Sequence, residues 1–256
     1  MTDPFVLITA GALGLILGSF LNVCIVRLPE EESVLTPRSK CPRCGRMVVW
    51  YDNIPVLSWL VLRAQCRGCG TRISVQYPAV ELAVSAMFVA AVWRYGLSVT
   101  ALSAAIFGFI LLGIAVTDAR HFLIPDEYTW GGLGLGLVLS LAGGLSGFTM
   151  ALVGAGTGFG LLYLVAWAGE KAFKQEAMGG GDIKMMAMVG SFVGWTGVLL
   201  TLFGGALLGV LIFIPLTLGK EKRLVPFGVF LAGAAAITFV YGPAIIDWYI
   251  RTLMAA

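Results

Sequence analysis

Six residues have the types and spacing that chemistry needs: four cysteines in two pairs, and two aspartates that border long apolar runs. The cysteines lie in Cys41-Pro42-Arg43-Cys44 and Cys66-Arg67-Gly68-Cys69, with 21 residues between the inner two. Each Cys-x-x-Cys turn points two sulfurs at one ion, and two such turns complete a tetrahedron, so the spacing is that of a structural zinc site. Two redox dithiols or unpaired thiols are the alternatives, and the spacing together with a reducing compartment favours zinc. A closed four-sulfur site keeps no open position, which makes its role architectural. The hydrophilic segment around it has few apolar residues for a core, and metal binding would supply the missing folding free energy. The fifth cysteine, Cys24, sits in an apolar run and reads as a packing residue.

Asp118 follows the run Gly113-Ile114-Ala115-Val116-Thr117, and Asp182 follows Gly179-Gly180-Gly181 and precedes another apolar run. A carboxylate at the edge of lipid is costly unless it pairs or works. Each alone reads most simply as a solvated carboxylate at a helix end, and Asp182 lies where a helix N-terminus favours negative charge. Brought within reach of one water, the two would share a proton. One would then act as base toward the water while the other, protonated, polarises a carbonyl, which is aspartyl protease chemistry. The glycines before Asp182 would allow a backbone closed to other residues and leave room for an extended substrate strand. Asp126, after Pro125 at the start of the next run, fits a helix cap. His121, the single histidine, reads as a loop residue.

The elements that must position these residues are apolar helices. Of 256 residues, 59% are hydrophobic and 12% charged, and the mean hydropathy is +0.92. A soluble domain needs more charged surface, so most of the chain belongs in lipid, with length for about seven to nine crossings. The first run, 5–26, is too long for a signal-peptide core and reads as a retained helix. Further spans are expected near 79–95, 99–117, 128–144 and 148–168, and a last one near 225–245. The 37 residues from Ile183 to Gly219 are too long for one crossing and long enough for two, with a turn at Gly194-Trp195-Thr196-Gly197. Glycine groups at Gly134/Gly136, Gly154/Gly156/Gly158/Gly160 and Gly204/Gly205/Gly209 read as helix-packing surfaces, not as a dinucleotide site.

Charge orients the spans. Eight of the 17 Lys and Arg residues fall between Arg27 and Arg72, and the rest include Arg120, Lys171, Lys174, Lys184 and Lys220, Lys222, Arg223. Eight helices with the N-terminus outside place every basic cluster in the cytosol except Arg94 and Arg251, whereas seven would put Lys220–Arg223 outside. Parity then brings Asp118 and Asp182 to the same cytosolic face. No nucleic-acid partner is needed to explain the basic residues.

Taken together, these motifs resemble the prepilin peptidases of bacterial type IV pilus and type II secretion systems. Gly179-Gly180-Gly181-Asp182 matches the family's G-x-G-D signature. Gly18-Ser19-Phe20-Leu21-Asn22-Val23 with Arg27-Leu28-Pro29 looks like its N-terminal motif, and the cysteine pairs followed by Ile73-Ser74, Tyr77-Pro78 and Glu81 look like its cytosolic zinc domain. Asp118 ahead of Ile124-Pro125-Asp126 matches the first catalytic aspartate, and Pro226-Phe227-Gly228 a further motif. The resemblance selects Asp118 over Asp126 as the partner of Asp182. It implies an all-α polytopic protein of the bacterial inner membrane with about eight transmembrane helices. The first helix would be 1–27, the cytosolic zinc domain 28–78, inserted between the first and second helices, and the aspartyl protease domain 79–256.

The implied activity is removal of the basic leader of prepilins and pseudopilins at the cytosolic membrane face. Many members also methylate the new N-terminal amine with S-adenosylmethionine, and the zinc domain is characteristic of those. Asn22, Arg27 and Glu81, at the junctions of the zinc domain with the membrane, are candidate cofactor or substrate contacts. Two positions depart from the pattern: Ala64 stands where glycine is common, and Val229 where a proline often follows Pro-Phe-Gly. Neither is expected to touch the aspartates. The competing readings are a peptidase without methylation and, from another class, a transporter or assembly protein using the aspartates as ion sites. No inverted repeat is evident, and aspartates at one face rather than at the midplane count against transport.

Overall fold

In lipid, a backbone with no water to bond must satisfy its own N–H and C=O groups, and runs as apolar as these do so as α-helices. The computed structural model describes residues 3–175, 178–217 and 226–254, and its regular elements are all helical. Lys220, Lys222 and Arg223 lie outside the described residues. The α-helices are α1 (Pro4–Arg27), α2 (Leu57–Val61), α3 (Gln76–Tyr95), α4 (Val99–His121), α5 (Asp126–Ser140), α6 (Gly144–Phe173), α7 (Gly180–Thr217) and α8 (Phe227–Tyr249). Among the described residues, six stretches are long and apolar enough to cross a membrane, and two of them, Asp126–Phe173 and Gly180–Ile212, run to 48 and 33 residues. The chain forms two compact units, Met1–Gly113 and Ile114–Ala256.

The first unit is framed by α1 and α3, which pack antiparallel through small residues. A Cβ on Gly14 would lie 2.6 Å from Ser85 Cα, and one on Gly18 would lie 2.6 Å from Glu81 Cα. Only glycine permits so close a backbone approach, which substitutes for a hydrophobic driving force in lipid. The Ser85 hydroxyl donates to the Gly11 carbonyl at 2.9 Å, and Asn22 Nδ2 to the Tyr77 carbonyl at 3.0 Å. Between these helices runs the cysteine-bearing segment, with short helical turns and isolated bridges instead of sheet.

In the second unit, α6 runs against the first part of α7, with Gly154 set against Gly190 and Gly158 against the Met186 carbonyl. The second part of α7 runs against α8, where a Cβ on Gly205 would lie 2.9 Å from Leu231. Helix α7 does not continue straight between them. Gly194 has φ 69° and ψ 178°, nearly the backbone of Gly96 and Gly144, which precede α4 and open α6. Were α7 straight, Gly181 and Gly209 would stand about 42 Å apart. Instead Ile124 lies against both Gly181 and Gly228, while Gly209 faces Phe230 in the first turn of α8. The chain therefore reverses at Gly194, and both ends of α7 return to the start of α8.

The glycine groups are used selectively. Gly136, Gly154, Gly158, Gly204, Gly205 and Gly209 meet neighbours, whereas Gly134, Gly156 and Gly160 have none within 4 Å.

Candidate active site and metal centre

The cysteine pairs form two copies of one local turn. The Cys41 N–H donates to the Arg46 carbonyl and the Gly45 N–H returns to the Cys41 carbonyl, both at 2.9 Å. The Cys66 N–H donates to Thr71 at 2.8 Å and the Gly70 N–H to Cys66 at 2.9 Å. Gly45 and Gly70 take φ of 70° and 68°, the left-handed conformation glycine adopts without penalty. The flanking bridges Lys40–Met47 and Gln65–Arg72 close each turn. All four Sγ atoms lie within 4.8 Å of one another, and Cys41 and Cys69 are 3.8 Å apart. Four thiolates at 2.3 Å from a central zinc would stand about 3.8 Å from each other, so the donor set and its spacing fit that ion.

The amides of Cys44 and Arg43 draw the Cys41 thiol down to about 6, and those of Cys69 and Gly68 lower Cys66. Cys69 goes the other way: the Thr71 amide draws it down, but burial and the neighbouring sulfurs hold it at about 11. Around the cluster, Arg67 makes a two-pronged ion pair with Asp52 at 2.6–3.1 Å, which holds the Asp52 carboxyl below its usual range. Ala64 has φ 57°, which accounts for a preference for glycine at this position.

Asp118 occupies the last turn of α4, which continues to His121 instead of ending with the apolar run. It is 6% exposed. The start of α8 points at it: the Val229 N–H donates to Asp118 Oδ2 at 3.2 Å, and the Gly228 amide adds a second contact. A Cβ on Gly228 would lie 2.8 Å from the same oxygen, so the glycine is what lets a helix N-terminus close on the carboxylate. This corrects the expectation that Val229 lies away from the aspartates. The contact uses a backbone donor, which every residue except proline supplies, so side-chain type carries no sign of it.

Asp182 sits in the first turn of α7, and Gly181 beside it packs on Ile124, the residue that also packs on Gly228 next to Asp118. Its Oδ1 is buried and finds no hydrogen-bond partner among the described residues. The glycines before it do not take the left-handed conformation. Gly181 is needed for space instead, since a Cβ there would lie 3.0 Å from Ile124, while Gly180 is open on all sides. Asp126 is engaged elsewhere, by Lys184 Nζ at 2.7 and 2.8 Å. A cavity of about 240 Å³ lies between the end of α6 and the start of α7, lined by Tyr163, Trp167, Glu170, Gly180 and Ile183 among others, and neither aspartate lines it.

The description Type IV leader peptidase family matches residues 104–214, which include both aspartates, and Bacterial Peptidase A24 N-terminal domain matches 12–95, which include all four cysteines. The chain is 33% identical over 268 residues to a prepilin leader peptidase/N-methyltransferase of Aeromonas salmonicida (strain A449), covering 94% of this chain and 92% of that one. The chain belongs to the type IV leader peptidase family. A protein of the same name from Bacillus subtilis (strain 168) is 36% identical, with 93% and 95% covered. One from Myxococcus xanthus (strain DK1622) is 44% identical over 78% of this chain but only 57% of its own length. No solved structure matches the chain.

Within the family frame, the remaining expected residues lie in the first unit. Asn22 is 1% exposed, and its Oδ1 is unpartnered among the described residues. Arg27 donates to the carbonyls of Ser33 at 2.8 Å and Pro37 at 2.7 Å. Glu81, 6% exposed, accepts the Val56 N–H at 2.7 Å. The contacts that sequence reasoning missed are the Val229 and Gly228 amides and the Asp126–Lys184 pair.

Proposed function

We propose that the chain is a prepilin leader peptidase that also N-methylates its product, with Asp118 and Asp182 as the catalytic pair. What supports this reading is that Ile124 packs on both Gly181, next to Asp182, and Gly228, next to Asp118, while the N-terminus of α8 holds one carboxylate and the other keeps a buried oxygen without a partner among the described residues. A water between them loses its proton to one carboxylate as it attacks the scissile carbonyl, while the other, protonated, donates to the developing oxyanion. The carboxyl that took the water's proton later gives it to the leaving amine, and the other recovers its proton as the tetrahedral intermediate collapses. Gly180, where a Cβ would meet nothing within 4 Å among the described residues, leaves room for an extended strand.

We further infer eight membrane crossings, since each of the two overlong stretches is broken by a glycine with the same backbone conformation. The sites then face the cytosol across the bacterial inner membrane, in keeping with the basic segment 28–78. Cys41, Cys44, Cys66 and Cys69 hold a structural zinc that folds this segment. Asn22, through its free oxygen, is the candidate contact for S-adenosylmethionine, with Arg27 and Glu81 holding the junctions around it. Substrates are prepilins or pseudopilins presented from the lipid.

Intact masses decide the assignment. Purified protein incubated with a synthetic prepilin and S-adenosylmethionine should give a product lacking the leader and heavier by one methylene. Leader loss without the methylene leaves a peptidase alone, and an unchanged prepilin overturns the proposal.

A further inference from the structure

The segment between the cysteine pairs contains a run that neither metal nor aspartate chemistry uses: Ile54-Pro55-Val56-Leu57-Ser58-Trp59-Leu60-Val61-Leu62, nine residues without a charge. In a water-soluble segment its polar residue would face out and its leucines in. The structure does the reverse. Ser58 is buried, accepting the Ile54 N–H and donating to the Tyr51 carbonyl, both at 2.9 Å. Leu57, Leu60 and Val61, at the i, i+3 and i+4 positions of one face of α2, are 60%, 57% and 75% exposed.

The depth of this face is fixed by one hydrogen bond. The N–H of Val56, the residue before α2, reaches the Glu81 carboxylate at 2.7 Å. Glu81 lies five residues into α3, about 7.5 Å beyond its start, and packs against Gly18, nine residues or about 13 Å from the end of α1. Both helices are long and apolar enough to cross a membrane, and a group that reaches Glu81 lies alongside residues within both of these apolar stretches. The Trp59 indole N–H adds a second tie, donating to the Ile73 carbonyl at 3.3 Å just ahead of α3. Leu82, the residue after Glu81 in α3, is 54% exposed. Exposed Trp50 and Arg63 flank the run, the residue types that sit at the headgroup level.

We propose that residues 54–62 form an interfacial insertion: α2 lies in the leaflet in which α1 and α3 end, with Leu57, Leu60 and Val61 among the acyl chains. A run of nine is too short to span and suits a segment lying in the interface. The metal-bearing segment is then a surface-anchored body and not one hanging from two linkers, and the insertion is independent of which reaction the protein performs.

The test uses full-length protein in phospholipid nanodiscs, with p-benzoylphenylalanine replacing Leu60, Val61, Leu82 or Arg43 in turn. After illumination, peptide masses should show phospholipid adducts at Leu60 and Val61 in yields like those at Leu82, and none at Arg43. Adducts at Leu82 with none at Leu60 and Val61 would overturn the insertion. So would cross-links from Leu60 and Val61 to a second copy or to another part of the same chain in place of lipid.

Discussion

The cysteine cluster and the aspartate pair gather their chemistry in opposite ways. Each cysteine pair is made by one turn, closed by hydrogen bonds between residues at most five apart, and a single ion could join the two turns. The proposed aspartate site would draw on Asp118 at the end of α4, Asp182 at the start of α7 and the amides at the start of α8, positions scattered over more than a hundred residues. What brings them together is helix packing at glycines and a reversal at Gly194. A local site is stable as long as its ion stays. A dispersed site is only as accurate as the packing behind it.

The largest effect should come from taking the ion away. Chelation, or Cys66→Ser, should unfold residues 40–72, because a structural zinc contributes on the order of 10 kcal/mol to folding. Amide exchange should rise across that segment and stay unchanged in α7. A segment that keeps its protection without metal would break the contrast.

Next come the aspartates. Asp118→Asn and Asp182→Asn should each slow leader cleavage by about 10³-fold or more with protection from exchange retained, as expected for groups that move protons in the reaction. Asp126→Asn removes only an exposed ion pair and should change the rate by less than about fivefold. Gly228→Ala sharpens the dispersed side. Its Cβ would lie 2.8 Å from Asp118 Oδ2, so the start of α8 must draw back from the carboxylate and cleavage should fall about tenfold. An unchanged rate would show that the start of α8 does not orient Asp118.

The smallest effect tests the local side. Ala64→Gly relieves a left-handed alanine, worth about 1 kcal/mol after the entropy of glycine is counted. It should appear as slower metal loss to a chelator.

The same contrast explains what the sequence reveals. The cysteine cluster is legible because its geometry is set within each turn, and residue type and spacing record it directly. The helices are legible too, though α4 runs past its apolar stretch, since helical hydrogen bonding continues where burial in lipid ends. Asp118 and Asp182 are individually visible, but their convergence depends on contacts between distant glycines that leave no spacing rule. Gly228 and Val229 contribute through the backbone, which composition does not encode. The insertion proposed at α2 escapes notice because nine uncharged residues are too few to read as a span, and a five-residue helix shows too little periodicity to read as amphipathic.

The central claim is that Asp118 and Asp182 work as one unit, and a double-mutant cycle on single-turnover leader cleavage tests it most directly. If they share the reacting water, the double variant Asp118→Asn with Asp182→Asn should be no slower than either single variant, because losing one member already removes what both do. Losses that multiply, or cleavage that persists in either single variant, would contradict a shared site.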